Sequence, residues 1–329
     1  MKIASREMKA MRLGFPVKVL GQPGLKSHDT RRWQNRPHLS VSLAYLRDIF
    51  VYLNRQGIHM YRMASDLAPY AAHPEMRWFH GQIDECAKEL FMVGEMAESH
   101  GLRLSFHLSM STVLNAPDES VARNSAGQVM AQARLLESMH LGPEAVVVAH
   151  VGGVYGDKEA ALGRFLERCE RLPDLARRRL VVEHDDSRFS VGDISRIHEE
   201  IGVPLVFDYL HFHNHNPHDM SLTEALELCL QSWPEEVKPK IHFSSPRTGM
   251  RVVERRSTDS NGRSPVLRAP HSFQHSDFID PFQFISFVRA AKRKNLRPFD
   301  VVLEAKAKDL ALLHLREDLA RLAPEIAFD

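Results

Sequence analysis

Cysteine, surplus charge and long apolar runs are all scarce in this chain. The three cysteines, Cys86, Cys169 and Cys229, stand far apart with no CxxC pair. That spacing excludes a disulfide framework and a thiolate zinc site, and it fits a reduced, cytoplasmic setting. Lys and Arg number 43 against 42 Asp and Glu, for a net charge of +1, so no global positive field announces a nucleic-acid binder. No apolar run reaches the roughly 18 residues of a membrane span. The opening MKIASREMKA lacks the apolar stretch of a secretory signal. Residues 1–10 read as an extension, and residues 11–329 as one folded unit beginning at Met11.

Histidine is abundant, with nineteen against six tyrosines. Its placement follows a pattern. Eight short apolar runs punctuate the chain, and six stop at or next to a residue able to ligate a metal. Leu102–Phe106 leads to His107 and Ala145–Ala149 to His150. Leu180–Val182 ends at Glu183, Leu205–Phe207 at Asp208, Lys240–Ile241 at His242, and Val301–Leu303 at Glu304. Met11–Phe15 and Ile58–Arg62 are the other two runs. Amphipathic stretches separate them: Leu43–Leu53, Ile83–Ser99, Val121–Met139, Lys158–Arg168, Val191–Glu200, Leu222–Leu230 and Phe282–Lys294. Strand-like runs alternating with helical ones predict βα units and a parallel sheet. Eight of them describe a single (β/α)8 TIM barrel with its active site at the C-terminal ends of the strands. Imidazoles and carboxylates converging there suit a cluster of divalent metals, since few other arrangements satisfy so many buried polar groups.

Two segments break the rhythm. Gly21–Ser40 carries Lys26, Arg31, Arg32, Trp33, Arg36 and His38. Ser244–Phe278 reads as an unusually long loop, and as far as Pro270 it holds Arg247, Arg251, Arg255, Arg256, Arg263 and Arg268 against Glu254 and Asp259. Long loops in compact domains are functional or disordered. Both follow strands at the active face, so a polyanion footprint is one reading and a solvated charged loop the other.

Within the constellation, Lys240 and His242 share a side of their strand, while Ile241 and Phe243 face the helices. Lys240 either pairs with a phosphate or carboxylate or is carboxylated and bridges metals. Asp208 and His211 stand three apart where a strand breaks, so both can turn inward. His213, His215 and His218 are weaker ligand candidates. In HVGGVYGDK the glycines Gly152 and Gly153 permit close approach of a ligand or backbone. Tyr155 could stack on a base or donate to a phosphate, and Lys158 could anchor one. His73, in PYAAHP, is a lone loop histidine.

Several stretches together resemble the ultraviolet damage endonucleases, metal-dependent repair enzymes related in fold to endonuclease IV. They are RLGFP (Arg12–Pro16), MYRMASDLAPYAAHP (Met60–Pro74), HVGGVYGDK (His150–Lys158), VVEHDD (Val181–Asp186) and FDYLHFHNHNP (Phe207–Pro217). KIHFSSPR (Lys240–Arg247), HSDFID (His275–Asp280) and LEAKAKDLALLHLREDL (Leu303–Leu319) complete the set. The resemblance implies a ligand set of His73, His107, His150, Glu183, Asp208, His211, His242, His275 and Glu304. It also places Lys240 at the metal site and selects His275 over His271. Relatives carry a Gln-Tyr pair soon after the third-strand histidine, where it probes damaged bases; Met110 and Ser111 stand here instead, and Met110 could wedge between bases. Tyr is usual where Phe15 stands, and Asn where His184 stands.

The function that this resemblance implies is Mn2+-dependent hydrolysis of the phosphodiester 5′ of an ultraviolet photolesion, with two or three ions and with Zn2+, Mg2+ or Co2+ as alternatives. Glu183, Lys240 and Tyr155 would act in catalysis. Phe15, Trp33, Met110, Ser111, Tyr155, Lys158, Arg247 and Lys306 would contact damaged duplex DNA. No protein partner is implied, and a monomer is expected. An abasic-site endonuclease of the endonuclease IV type is the nearest alternative. A divalent-metal sugar isomerase or epimerase on the same barrel is another; it would leave the arginine-rich segment without a task.

Overall fold

A computed structural model describes the backbone of residues 10–256 and 263–329, and side chains over 10–254 and 265–329. Arg255, Arg256, Asp259 and Arg263 therefore lie, in whole or in their side chains, outside the described residues. In chain order the elements are β1 (Leu13–Pro16), α1 (Leu39–Arg55), β2 (Met60–Arg62), α2 (Gln82–Glu85), α3 (Ala87–Ser99), β3 (Arg103–His107) and α4 (Glu119–Ser138). There follow β4 (Val146–His150), α5 (Lys158–Glu170), α6 (Asp174–Arg179), β5 (Leu180–Glu183), α7 (Val191–Ile201), β6 (Leu205–Val206), α8 (Tyr209–Asn214) and α9 (Leu222–Gln231). The chain ends with β7 (Lys240–Phe243), β8 (Arg251–Arg256), β9 (Arg263–Arg268), α10 (Pro281–Arg293), β10 (Asp300–Leu303) and α11 (Asp309–Leu322).

Eight strands form one parallel sheet in the order β6-β5-β4-β3-β2-β1-β10-β7. A parallel bridge between Asp208 and His242, with the His242 amide donating to the Phe207 carbonyl at 2.8 Å, brings its two edges together. The sheet is thus the (β/α)8 barrel that the strand spacing predicts. Alternation along the strands divides the side chains between two environments. Val147, Ala149, Val182, Leu205, Ile241 and Phe243 face the helices in the main core, whereas Val146, Val148, Val181 and Val206 pack with Trp233 and Val237 in a separate cluster.

At the barrel floor Arg103 and Asp300, both fully buried, pair at 2.9 Å. Lys238 reaches the other Asp300 oxygen at 2.7 Å, and Trp233 lies under the Arg103 guanidinium. Burial alone would raise the Asp300 pKa; Arg103 and Lys238 outweigh it and hold the carboxyl below its usual value.

Helix starts follow local chemistry. Asp118, Asp157 and Asp280 cap α4, α5 and α10 by accepting first-turn amides, and Ser190 and Ser221 open α7 and α9 with reciprocal capping boxes. The predicted helix Ile83–Ser99 is broken at Cys86 into α2 and α3. Helix α3 approaches the end of α4 so closely that a Cβ on Gly94 would strike the Met139 carbonyl. The expected long loop after β7 contains an antiparallel ribbon of β8 and β9.

The Gly21–Ser40 segment is pinned at both ends. Asp309 accepts from the Leu20 and Gly21 amides and from the Tyr52 hydroxyl at 2.7, 2.9 and 2.6 Å. Asp29 accepts from the Arg31 guanidinium at 2.6 and 2.9 Å and from the His38 amide at 3.0 Å. The Arg31 bonds, against an opposing effect of burial, lower the Asp29 pKa to about 2. A depressed carboxylate stabilises the fold above its unfolded pKa and loses that contribution as pH falls through the folded value. Asp29→Asn should therefore cost roughly 1–3 kcal/mol near neutrality. Urea titrations from about pH 6 to about pH 3 should show the gap to the parent closing; a gap independent of pH would show that charge is not what Asp29 contributes.

Candidate metal centre

The centre is assembled from strand ends that the barrel register sets side by side. His150 is paired with Glu183 between β4 and β5, and Leu303 with Phe243 between β10 and β7, so Glu304 follows directly above His242. Asp208 stands where β6 gives way to α8; its carboxylate caps that helix through the His211 amide at 2.8 Å. One bond thereby fixes two candidate ligands.

Glu183 is the hub, 1% exposed. One oxygen lies 2.8 Å from His107 Nε2 and 3.7 Å from His150 Nε2; the other lies 2.9 Å from His242 Nδ1 and 3.5 Å from His211 Nδ1. Glu304 lies 3.6 Å from His242 and 3.7 Å from His275. Burial would raise the Glu183 pKa, but His242, His150 and His107 outweigh it and hold the carboxyl well below its usual range. Burial likewise opposes the charge on His211, yet Asp208, Glu183 and Glu304 raise that imidazole to about 9.

These residues fit divalent cations. His107, His150 and His211 each direct Nδ1 at a backbone carbonyl, those of Leu108, Glu183 and His184, at 2.8, 3.2 and 3.0 Å. A carbonyl only accepts, so Nδ1 carries a proton in all three; Nε2 of His107 and His150 then offers a lone pair, and that of His211 does so once a cation takes the place of its second proton. On His107 that lone pair meets a carboxylate, a contact that requires a proton or a cation between them. Asp208 Oδ2 and His242 Nε2 are buried without a hydrogen-bond partner, a costly state that metal ligation relieves. Two groups, His107-Glu183-His242 and Glu183-Asp208-His211, have donor atoms close enough to share an ion.

Six of the nine ligand candidates, His107, His150, Glu183, His211, His275 and Glu304, therefore line one cleft of about 400 Å³, whose rim includes Arg62 and Met110, and Asp208 and His242 are buried beside Glu183 behind it. His73 is not brought to it. It lines a neighbouring cavity, its ring edge-on to Tyr70. Lys240 is fully buried inside the barrel with Nζ 3.0 Å from Ser105 Oγ, and burial, aided by Arg103 and Arg62, drives its pKa well down.

One expected DNA contact is corrected, and others are engaged within the chain. Phe15 is fully buried against Tyr61, because its strand turns that side chain into the core. Lys158 is held by Asp193 at 2.7 Å and lies over Phe189. The space beside Gly152 and Gly153 is filled by this chain's own Asn115 and Tyr155. Tyr155 itself is half-exposed at positive φ, its ring beneath Arg164. Trp33, Met110, Ser111 and Lys306 are exposed, whereas Arg247 is largely buried, 3.8 Å from Asp277.

Sequence reasoning missed two residues. Arg62, at the end of β2, pairs with Glu304, and its strand-end position was the signal that could have found it. His184 accepts the Asp208 amide at 2.9 Å through Nε2 and the His211 ring through its carbonyl, so it positions two ligands.

The comparisons with known proteins agree with this geometry. The family model of UV-endonuclease UvdE matches residues 26–326. The UV DNA damage endonuclease of Bacillus velezensis is 32% identical over 272 residues, covering 82% of this chain and 78% of that protein. The crystal structure of SacUVDE superposes with a TM-score of 0.79 at 28% identity, over 95% of this chain and 99% of that one. Endonuclease IV from Thermus thermophilus superposes with a TM-score of 0.57 at 13% identity, over 94% and 99%, a likeness of fold alone. With its barrel, its cleft and the match across nearly its whole length, the chain belongs to the UV-endonuclease UvdE family.

Proposed function

We propose that residues 11–329 form a metal-dependent endodeoxyribonuclease that incises damaged duplex DNA at the phosphodiester 5′ of cyclobutane dimers and 6-4 photoproducts. The observation that carries this reading is the meeting of imidazole lone pairs and the Glu183 carboxylate in one open cleft of a chain of this family. Two or three divalent ions, with Mn2+ the expected species, would be held by His107, His150, Glu183, Asp208, His211, His242, His275 and Glu304. When bound, such ions supply positive charge to the scissile phosphate and acidify an attacking water.

The protein's own residues do the rest. Glu183, with one oxygen toward His107 and His150 and the other toward His242 and His211, would hold the ions together with both sets of imidazoles. Arg62 holds Glu304 in place. Lys240, its pKa driven well down by burial, underlies the centre, and the exposed Tyr155 orients the phosphate from the rim. Met110, 72% exposed where two cavities meet, fills the gap left by an unstacked base, while Ser111 and Lys306, which line neighbouring cavities, take the backbone together with Trp33 and Arg247. The enzyme works as a monomer in the cytoplasm.

Labelled duplexes carrying a cyclobutane dimer, a 6-4 photoproduct, an abasic site or no damage test this reading. Incision directly 5′ of the photoproducts is expected with Mn2+, and none after EDTA. Cutting confined to the abasic site would instead assign endonuclease IV chemistry. Glu183→Gln should lower kcat by at least roughly 100-fold at saturating metal and reduce the metal bound per chain. Unchanged turnover in that variant would remove Glu183 from the mechanism.

A further inference from the structure

The ribbon of β8 and β9 projects from the catalytic face, and the barrel does not account for it. Beyond each other, neither strand packs substantially on any described helix or strand. A lone two-stranded ribbon is marginal in water, so one that stands clear of its own core needs a surface to lie on. Its faces show what kind. The antiparallel register sets Arg251 opposite Arg268 and Val252 opposite Leu267. Directly opposed like charges destabilise a ribbon unless an anion lies across them. On the other face Val252 and Leu267 are 69% and 60% exposed. Between Ser244 and Pro270 the sequence holds six arginines against Glu254 and Asp259.

The ribbon is rooted at the metal centre. The Arg247 amide donates to the Gln274 carbonyl at 2.7 Å and the Ser276 amide to the Ser245 carbonyl at 2.8 Å, with a bridge between Pro246 and His275. His275 is the residue that faces Glu304. A load on the ribbon is thus carried directly to a candidate ligand. Arg247, at this root, has a buried Nη1 without a hydrogen-bond partner.

We propose that the ribbon is a clasp for duplex DNA: Arg251 and Arg268 lie on backbone phosphates beside the scissile step, independently of the lesion. The proposal rests on the endonuclease reading above and adds a surface to it. A ribbon of this width fits a DNA groove, where its Arg251–Arg268 pair meets phosphate and its aliphatic pairs, Val252–Leu267 and Val253–Val266, meet sugar. Damage recognition and grip are then separate: the cleft tests the lesion, and the clasp supplies affinity for any duplex.

Anisotropy of a labelled, undamaged duplex titrated at about 50–200 mM KCl tests this directly. The double variant Arg251→Ala, Arg268→Ala should lower the slope of log K against log [KCl] by about 2, one phosphate per arginine. Arg251→Lys, Arg268→Lys should keep the parental slope, which separates charge from fold. On a photoproduct duplex the alanine variant should raise KM and leave kcat unchanged. A parental slope in the alanine variant, alongside normal incision by the parent chain, overturns the clasp alone. Failure of the parent chain to bind duplex DNA overturns the endonuclease reading and the clasp with it. Should Val252→Ser, Leu267→Ser dissolve a dimer that sediments without DNA and leave DNA binding intact, the ribbon's partner is a second copy and the clasp is wrong.

Discussion

A carboxylate removed almost completely from water sits at the centre of this barrel, and the rest of the site is arranged around it. Desolvating Glu183 is costly unless positive charge or donors surround it. Four imidazoles do so, within 3.7 Å. They can face it only because their strands end at the same level of one closed sheet. Shifting β7 by one residue would turn His242 and Lys240 outward and bring Ile241 and Phe243 into the barrel. Barrel closure and site assembly are the same event, since the bridge between Asp208 and His242 performs both.

Support reaches the centre from below and from the side. Arg103, Asp300 and Lys238 make a compensated ionic floor. Above it come the valine cluster and the buried contact of Lys240 with Ser105. Around the rim, backbone carbonyls fix three imidazole tautomers, and His184 ties Asp208 to His211. His107, Asp208, His211 and Glu304 are thus oriented by groups that are not themselves ligand candidates. This is what a site needs if its donors are to be poised before any ion arrives.

The strand ends were legible in the sequence because β alternation and barrel topology leave a strand-terminal His, Glu or Asp little choice of direction. His107, His150, Glu183, Asp208, His242 and Glu304 followed from that rule alone. Lone residues on loops did not: His73 and His275 look alike in sequence, yet only His275 is paired by a backbone bridge to the β7 loop. Phe15 showed the opposite failure, since a position matched by resemblance carries no information on which way its strand turns it. The short α6 and α8, with no apolar period, and the ribbon, with arginines where strand formers are usual, fell below what pattern reading resolves. Asp29 and Asp309, which make a built structure of the Gly21–Ser40 segment, act through backbone amides that no motif encodes.

The molecule separates rigidity from exposure. The layer of candidate metal ligands is largely buried, register-locked and hydrogen-bonded to the backbone, while Met110, Trp33, Tyr155 and the ribbon stand in solvent. Hydroxyl contacts among Ser109, Ser111 and Thr112, at 2.7 and 3.1 Å, brace the turn that carries Met110. A thioether offers no hydrogen bond to a base edge, so on the proposed reading it senses only whether neighbouring bases can be parted. Discrimination at that point then rests on the deformability of the duplex, which a photoproduct increases, and not on the identity of its bases. The chemistry can thus stay fixed in the barrel while lesion preference changes through a few exposed side chains that bear no load in the fold.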